Sequence, residues 1–537
     1  MQAPERALDL PEWAAALLLA AAVGLTYGHY ADSPTFFDDV YFFIDPQKYL
    51  SGLNWASVFD RRWVATASLA LTYKVSGTAP FAYRAFSLAV HAAVAFSLFL
   101  LLRDMVGRRG PNDAFWPALC CALLFALHPV AAFAVGYIIE RSMLLAALFS
   151  LWMWIAVHRG ISRNSRAWLM ASALFYWLAM FSKEHAVTAL PVAVLVAWNA
   201  GDGDWRRATR MLAWPLVIWG AAAAFVVLSA KGLLGAAYEP IVGEMLQGLP
   251  ADQGTFYLRS AVNQGWLFFR YWLLWLLPVE TWMSIDMRVP FPSAWYSWPW
   301  IAGALAFCAW PVAVAAAAAR AWLPRPAVVG LLAPWFLYLT MFSVIEYQES
   351  FVLYRSYLWA LPAFLLPCLA LTRLPRRGQI AAMLSLGLFL FTLTWGRLQV
   401  FSHPMLVWDE AVERLAGDDS LPGAYRDYQN RGLEYFRLGN IQRALDDFEH
   451  VIALNPGYMF VYNDRGAAYL KLGQLDKALA DFDRTIAAKP EYPKPYLGRG
   501  MTLLRMGRRD DGLASLARAC QLGSGCAVYR KAVASQE

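Results

Sequence analysis

Charge is what this chain has least of: Asp, Glu, Lys and Arg make up 16% of its 537 residues, against 59% hydrophobic and 15% aromatic. Ordinary globular chains carry about 25% charge, so a soluble multidomain protein is excluded and an integral membrane protein is expected. Cysteine is scarce too. Of the six, Cys120, Cys121, Cys308 and Cys368 lie inside apolar runs without metal spacing, where a thiol serves as a small hydrophobe. Cys520 and Cys526 bracket Gly-Ser-Gly; they either close a short loop in an oxidising compartment or stay unpaired. No Gly-rich phosphate loop, Ser-His-Asp order or His-rich metal cluster stands out. The net charge of +7 is no nucleic-acid footprint, because the Lys and Arg cluster beside hydrophobic runs, where membrane orientation accounts for them.

What is present is a succession of apolar runs long enough to span a bilayer: roughly 12–30, 80–102, 114–129, 140–157, 167–183, 186–199, 211–229, 298–320, 327–345, 354–372 and 379–397, about eleven helices. The first follows a lone Arg6 and is read as a retained anchor rather than a cleaved signal. With the N-terminus inside, the inner connections carry Arg103, Arg108 and Arg109; Arg159, Arg163 and Arg166; Arg206, Arg207 and Arg210; Arg320 and Arg325; Arg373, Arg376 and Arg377, as the positive-inside rule requires. Residues 256–278 are apolar but hold Arg259, Asn263, Gln264 and Arg270, and are read as interfacial or re-entrant within an outer loop, 230–297. Trp63 to Val75 is expected to lie on the membrane.

After about residue 422 the composition turns charged and helix-forming. Arg-Gly recurs at 431/432, 465/466 and 499/500, Gly439, Gly473 and Gly507 keep the same 34-residue step, and Pro456 and Pro490 close two units. This is the tetratricopeptide helix-turn-helix signature. Helix pairs are predicted at 424–455, 458–489 and 492–522, with a cap from 525. The domain plan is therefore 1–400 membrane domain with outer loops 31–79 and 230–297, 401–421 connector, and 422–537 repeats.

Chemistry-bearing residues collect on the predicted outer side. Asp38 and Asp39 open the first outer loop; desolvation and mutual repulsion would raise one pKa and make that group a general base, while a solvated acidic turn fits the spacing equally well. Glu140-Arg141, Lys183-Glu184-His185 and Tyr354-Arg355 fall at helix ends on the same side. Each alone reads as an interfacial anchor; together their cations suit an anionic leaving group such as a lipid phosphate. His128 before Pro129 either donates to a phosphate or caps a turn, and His91 reads as packing. Without a nucleotide-binding domain, a lipid-linked sugar donor fits better than a nucleotide sugar.

In order along the chain, Phe37-Asp38-Asp39 with Ile44-Asp45-Pro46; Trp63 to His91 with Tyr73, Gly77, Pro80, Phe81 and Tyr83; His128-Pro129-Val130 with Ala134-Val135, Arg141 and Leu144 to Phe149; Lys183 to Thr188; and Leu406-Val407-Trp408 resemble the transmembrane and tetratricopeptide-repeat O-mannosyltransferases of the GT-C glycosyltransferase superfamily. The resemblance implies a GT-C type all-α membrane fold with a C-terminal α-solenoid, and a bacterial-type relative is expected. It implies an inverting displacement in which Asp38 deprotonates a Ser or Thr hydroxyl attacking a polyprenyl-phosphate sugar. Asp39 would orient Asp38, Arg141, Lys183, Arg355 and His128 would hold the donor phosphate, Glu184, His185, Glu140 and Tyr357 would support them, and Asp286 would contact the acceptor. No metal is indicated, though a divalent ion is compatible. Ala131, Phe133, Met143 and Trp63 depart from the family pattern around the implied pocket and leave sugar and acceptor open. The implied partners are the lipid donor, the bilayer and an acceptor protein docked by the repeats. The implied location is a cell inner membrane, N-terminus cytoplasmic and repeats periplasmic or luminal. The alternatives are the same chemistry on a lipid or glycan, or a non-catalytic scaffold recruiting envelope or pilus proteins.

Overall fold

The computed structural model describes residues 11–35, 39, 60–107, 114–229, 235–236 and 253–534. Every regular element among them is helical, and the chain divides into two compact units, 1–403 and 404–537.

In the first unit, seven helices among the described residues are long and apolar enough to cross a membrane: Glu12–Tyr30, Pro80–Val106, Ile138–Ser162, Trp205–Ser229, Trp300–Ala319, Arg325–Phe342 and Arg376–Phe401. The pair Phe115–Ala126 and Pro129–Val135, bent by 61°, makes an eighth if taken as one span. The protein is thus polytopic, and the expectation of about eleven spans is corrected to seven or eight. The reason is physical. Residues 167–183 form a helix of 17 residues, Arg166–Ser182; 186–199 become the 3₁₀ turn Glu184–Thr188 and a 12-residue helix, Ala189–Ala200; and 354–372 break into Ser356–Ala363 and Leu365–Leu371. Twelve helical residues rise about 18 Å, well short of a hydrocarbon core of about 30 Å. Such short elements persist where neighbouring helices bury them, as Val192, Ala193, Val196 and Ala197 are buried here. Apolar run length in sequence does not separate a lipid-facing span from a broken, protein-buried one.

The helix Gln253–Leu276 packs backbone to backbone on Trp300–Ala319: a Cβ on Gly265 would fall 2.8 Å from Ala304 Cα, and one on Gly303 would fall 2.7 Å from Trp266 Cα. Small residues permit that approach. The chain then doubles back along the same helix, since Phe291 stacks on Phe256 at 5.4 Å and Arg259 Nε donates to Pro292 O at 2.7 Å.

Polar ends segregate in this unit. At one end Arg103 pairs with Glu12 at 2.7 Å, Arg159 with Asp104 at 2.7 Å and Arg325 with Asp202 at 3.0 Å. These helix ends meet around a cavity of about 800 Å³ lined by Asp104, His158, Asn199, Asp202, Arg207 and Arg325. The basic connections thus gather at a single end. The last long helix runs from Arg376, stacked on Trp116 near that end, to Phe401 against Phe133 at the other.

The second unit begins with Pro404–Leu415 and continues as Ala424–Arg437 with Ile441–Leu454, Met459–Lys471 with Leu475–Ala488, Pro493–Arg505 with Arg509–Gln521, and Cys526–Ala534. The glycine of each Arg-Gly sits where helices meet: added methyls on Gly432, Gly466 and Gly500 would fall 2.7 Å from Phe448, 3.0 Å from Phe482 and 2.7 Å from Leu516. Gly439, Gly473 and Gly507 take φ of 83°, 76° and 77° at the turns, a region glycine enters freely. A disulfide joins Cys520, in Arg509–Gln521, to Cys526, the first residue of the last helix.

Candidate functional site

At the end of the membrane unit opposite the basic connections, the chain collects its other buried charges. Asp39 is buried; its carboxylate accepts from Ile138 N at 3.0 Å and Ile139 N at 2.9 Å. These are N–H groups of the 3₁₀ turn Ile138–Glu140 that opens the helix Arg141–Ser162. Unsatisfied donors at a helix start attract an anion, so Asp39 is fastened to the Glu140-Arg141 corner. Asp38 lies outside the described residues.

From that corner the contacts run on. Glu140 Oε2 accepts from Lys183 Nζ at 2.6 Å, both side chains under 10% exposed. Lys183 lies 5.3 Å from the Tyr354 ring, which also meets Tyr137 at 6.2 Å. Arg355 is buried and paired with Glu346, and donates to Glu349 O at 3.3 Å. Glu184 accepts both N–H groups of the Arg62 fork, at 2.9 and 2.5 Å, nearer the surface. Burial works to raise the Glu184 pKa, but Arg62 outweighs it and holds the carboxylate well below its usual range. His185, inside the same turn, is pushed down to about 3, first by burial and then by Lys183, Arg355 and Arg62, with Glu184 opposing. Its Nδ1 is buried with no partner among the described residues. Burial lowers Lys183 as well, and Glu140 offsets it.

The other expected residues divide. Arg141 is fully buried and anchors the interior: it donates to Ser68 O and Thr72 Oγ1 at 3.0 Å and to Tyr83 O at 2.9 Å, over Phe86 at 4.5 Å. His128 caps the helix Pro129–Val135 through Nδ1, which accepts from Val130 N at 3.3 Å, and stacks on Trp275 at 4.4 Å. Its Nε2 is buried without a partner among the described residues. Tyr357 is buried, its hydroxyl 2.6 Å from His91 Nδ1. Asp286 pairs with Arg288, which donates to Gln348 O at 2.8 Å; no described contact brings it to the Asp39 group.

Beside the charged group lies an apolar cavity of about 110 Å³ lined by Tyr271, Trp272, Trp275, Tyr338, Trp359 and Phe364, among others. Trp275 joins the two, donating Nε1 to Ser356 Oγ at 3.0 Å next to Arg355.

Compared with known proteins, models of the tetratricopeptide repeat match residues 425–458 and 447–480. The chain carries tetratricopeptide repeats. It is similar to protein O-mannosyl-transferase TMTC2 of Homo sapiens, 29% identical over 139 residues, to that of Mus musculus, 28% over 139, and to tmtc2 of Xenopus laevis, 30% over 139. Each match takes in 25% of this chain, which spans only 16% of the relative's length. All three are vertebrate proteins, so the expected bacterial kinship gains nothing from them. Among solved structures, the crystal structure of MamA is 26% identical over a stretch covering 25% of this chain and 76% of that one, with a TM-score of 0.21.

Sequence reasoning missed Arg84, Glu346 and the partnership of Arg62 with Glu184. Glu346 had a signal, being an acidic residue next to a predicted span and nine positions before Arg355. Arg84 had one too, as a charge within an apolar helix long enough to span a membrane, Pro80–Val106, since an intramembrane ionisable residue is a functional candidate by default.

Proposed function

We propose that the chain is a membrane glycosyltransferase of the GT-C type that moves a sugar from a polyprenyl-phosphate carrier to Ser or Thr hydroxyls of proteins outside the cytoplasm. The observation that carries this reading is the union, at the end away from the basic connections, of an aspartate-anchored loop, a cationic group and an aromatic cavity. Those three parts answer to the base, the phosphodiester and the isoprenoid chain of such a reaction. Asp39, holding two backbone N–H groups, serves as the orienting carboxylate, which leaves the neighbouring Asp38 to accept the hydroxyl proton while the oxygen attacks the anomeric carbon. The C–O bond to phosphate breaks as the new glycosidic bond forms, inverting the centre. Lys183 and Arg355, with Arg141 behind them and His128 nearby, stabilise the departing phosphate. Because Lys183 and Arg355 already hold Glu140 and Glu346, donor arrival exchanges one anionic partner for another.

The basic end faces the cytoplasm by the positive-inside rule. The last long helix therefore delivers the repeats to the opposite side, where the disulfide is compatible with an oxidising compartment. There the repeats dock the acceptor. Similarity to the O-mannosyl-transferases supports the reaction class over a quarter of the chain.

Asp38→Asn tests the reading. Transfer measured by intact mass of acceptor proteins from cells should fall 10²- to 10⁴-fold, the usual range for a lost general base, with expression unchanged. Glycosylation persisting at the wild-type level would leave the non-catalytic scaffold as the better account.

A further inference from the structure

The first outer loop has its root at Ala31 and carries the aspartate pair at 38 and 39. Arg84, 1% exposed, grips that root. One terminal nitrogen donates to Ser33 O and, at 3.4 Å, to Ala31 O; the other donates to Pro34 O at 2.8 Å. The cation lies 4.5 Å over the Tyr30 ring. Tyr30 Oη in turn donates to Gly136 O at 2.9 Å, two residues before the N–H groups that hold Asp39. Both the root and the aspartate are therefore fastened to one short stretch, 136–139.

The charge pattern groups Arg84 with Arg141, whose described donations also go to neutral oxygens. Lys183, Arg355 and Arg62 each hold a carboxylate, whereas Arg84 donates to none among the described residues and its Nε has no partner there. A buried cation bonded only to neutral carbonyls is poor value for stability, because well-packed apolar side chains often do as well or better at such positions. What the planar fork supplies instead is direction: it fixes three carbonyls within four consecutive residues.

We propose that Arg84 is a positioning residue for Asp39, holding the turn 31–34 so that this carboxylate reaches Ile138 and Ile139. This rests on the transferase reading above. The test uses full-length wild type, Arg84→Lys and Arg84→Gln in detergent, with two readouts. In hydrogen exchange, peptides covering 31–39 should lose protection in both variants while the remaining spans keep theirs. In transfer from a polyprenyl-phosphate hexose to Ser/Thr peptides, kcat should fall on the order of 100-fold in Arg84→Gln, as a misplacement of about 1 Å does, with donor KM changed by less than about twofold. Arg84→Lys, which keeps the charge and can reach one carbonyl, should recover part of kcat. Unchanged exchange at 31–39 overturns the proposal, as does loosened exchange with undiminished kcat, or a rise in KM alone. A wild type that binds the donor and transfers nothing is failure of the transferase reading; the exchange result then decides separately whether Arg84 holds the loop.

Discussion

Both units hold themselves with Arg or Lys gripping a carboxylate, but they do so on different terms. In the repeats the device is copied: Arg431 takes both oxygens of Asp447 at 3.0 and 2.7 Å, and Arg465 takes both of Asp481 at 2.8 and 2.9 Å, sixteen residues on each time. The cations are about one-fifth exposed, 22% and 20%. Among the described residues of the membrane unit no pair is a copy of another, and Lys183–Glu140 and Arg355–Glu346 are buried on both sides. A repeated pair is fixed by its own helix-turn-helix; a buried singular pair depends on the whole bundle around it. The first should be cheap to break and the second expensive.

The largest effect is expected at Glu140. Glu140→Gln leaves Lys183 buried without its counterion and should destabilise the membrane unit by about 3–5 kcal/mol, whereas Glu140→Leu with Lys183→Met should restore most of that. Thermal unfolding of wild type, Glu140→Leu, Lys183→Met and the double variant in detergent gives the coupling energy. A Glu140→Gln penalty below about 1 kcal/mol would mean that water reaches the pair, and the contrast between the units would dissolve.

His185 sharpens the same contrast through pH. Its folded pKa, about 3, lies below the ordinary His value of 6.5. The unfolded chain therefore binds the extra proton first as pH falls. The neutral-His contribution is present in full above pH 6.5 and is withdrawn on descending toward 3. At pH 5 the loss amounts to as much as about 2 kcal/mol. His185→Asn should flatten the melting temperature between pH 7 and pH 4.5. Parallel pH curves for variant and wild type would show that His185 is wet and unconstrained.

The same division governs what could be read in advance. The repeat helices fall where the 34-residue step put them, because Gly432, Gly466 and Gly500 each meet the large side chain of their own hairpin and local spacing carries that information. The membrane unit gave up its polar ends but not its span count. Run length does not reveal that the apolar stretch after Ser182 turns through Glu184–Thr188, or that the one at 356–371 breaks. The helix-end positions of Glu140 and Lys183 were legible. Their mutual pairing across 43 residues was not. Arg84 reads as one charge in an apolar helix until the carbonyls of 31–34 are folded against it.

The smallest effect lies in the repeats, and it tests whether copying itself matters. Sixteen residues beyond Arg499 the sequence has Ser515 instead of Asp, and Arg499 turns back to Asp483 at 2.6 Å, with the two side chains 31% and 50% exposed. The third unit thus keeps the arginine but loses the grip. Arg465→Met should destabilise the repeat unit by about 1.5–3 kcal/mol, the range for hydrogen bonds to a charged, mostly buried partner, and Arg499→Met by less than about 1 kcal/mol. Ser515→Asp should draw Arg499 into the copied geometry and narrow that difference; Ser515 now donates to Tyr496 O at 3.0 Å, which sets what the substitution must replace. Stacked repeats unfold as coupled neighbours, so urea melts of residues 404–537 followed by tyrosine fluorescence report all three changes on one scale. Equal penalties at Arg465 and Arg499 would show that neighbour coupling, and not the bidentate grip, holds the array.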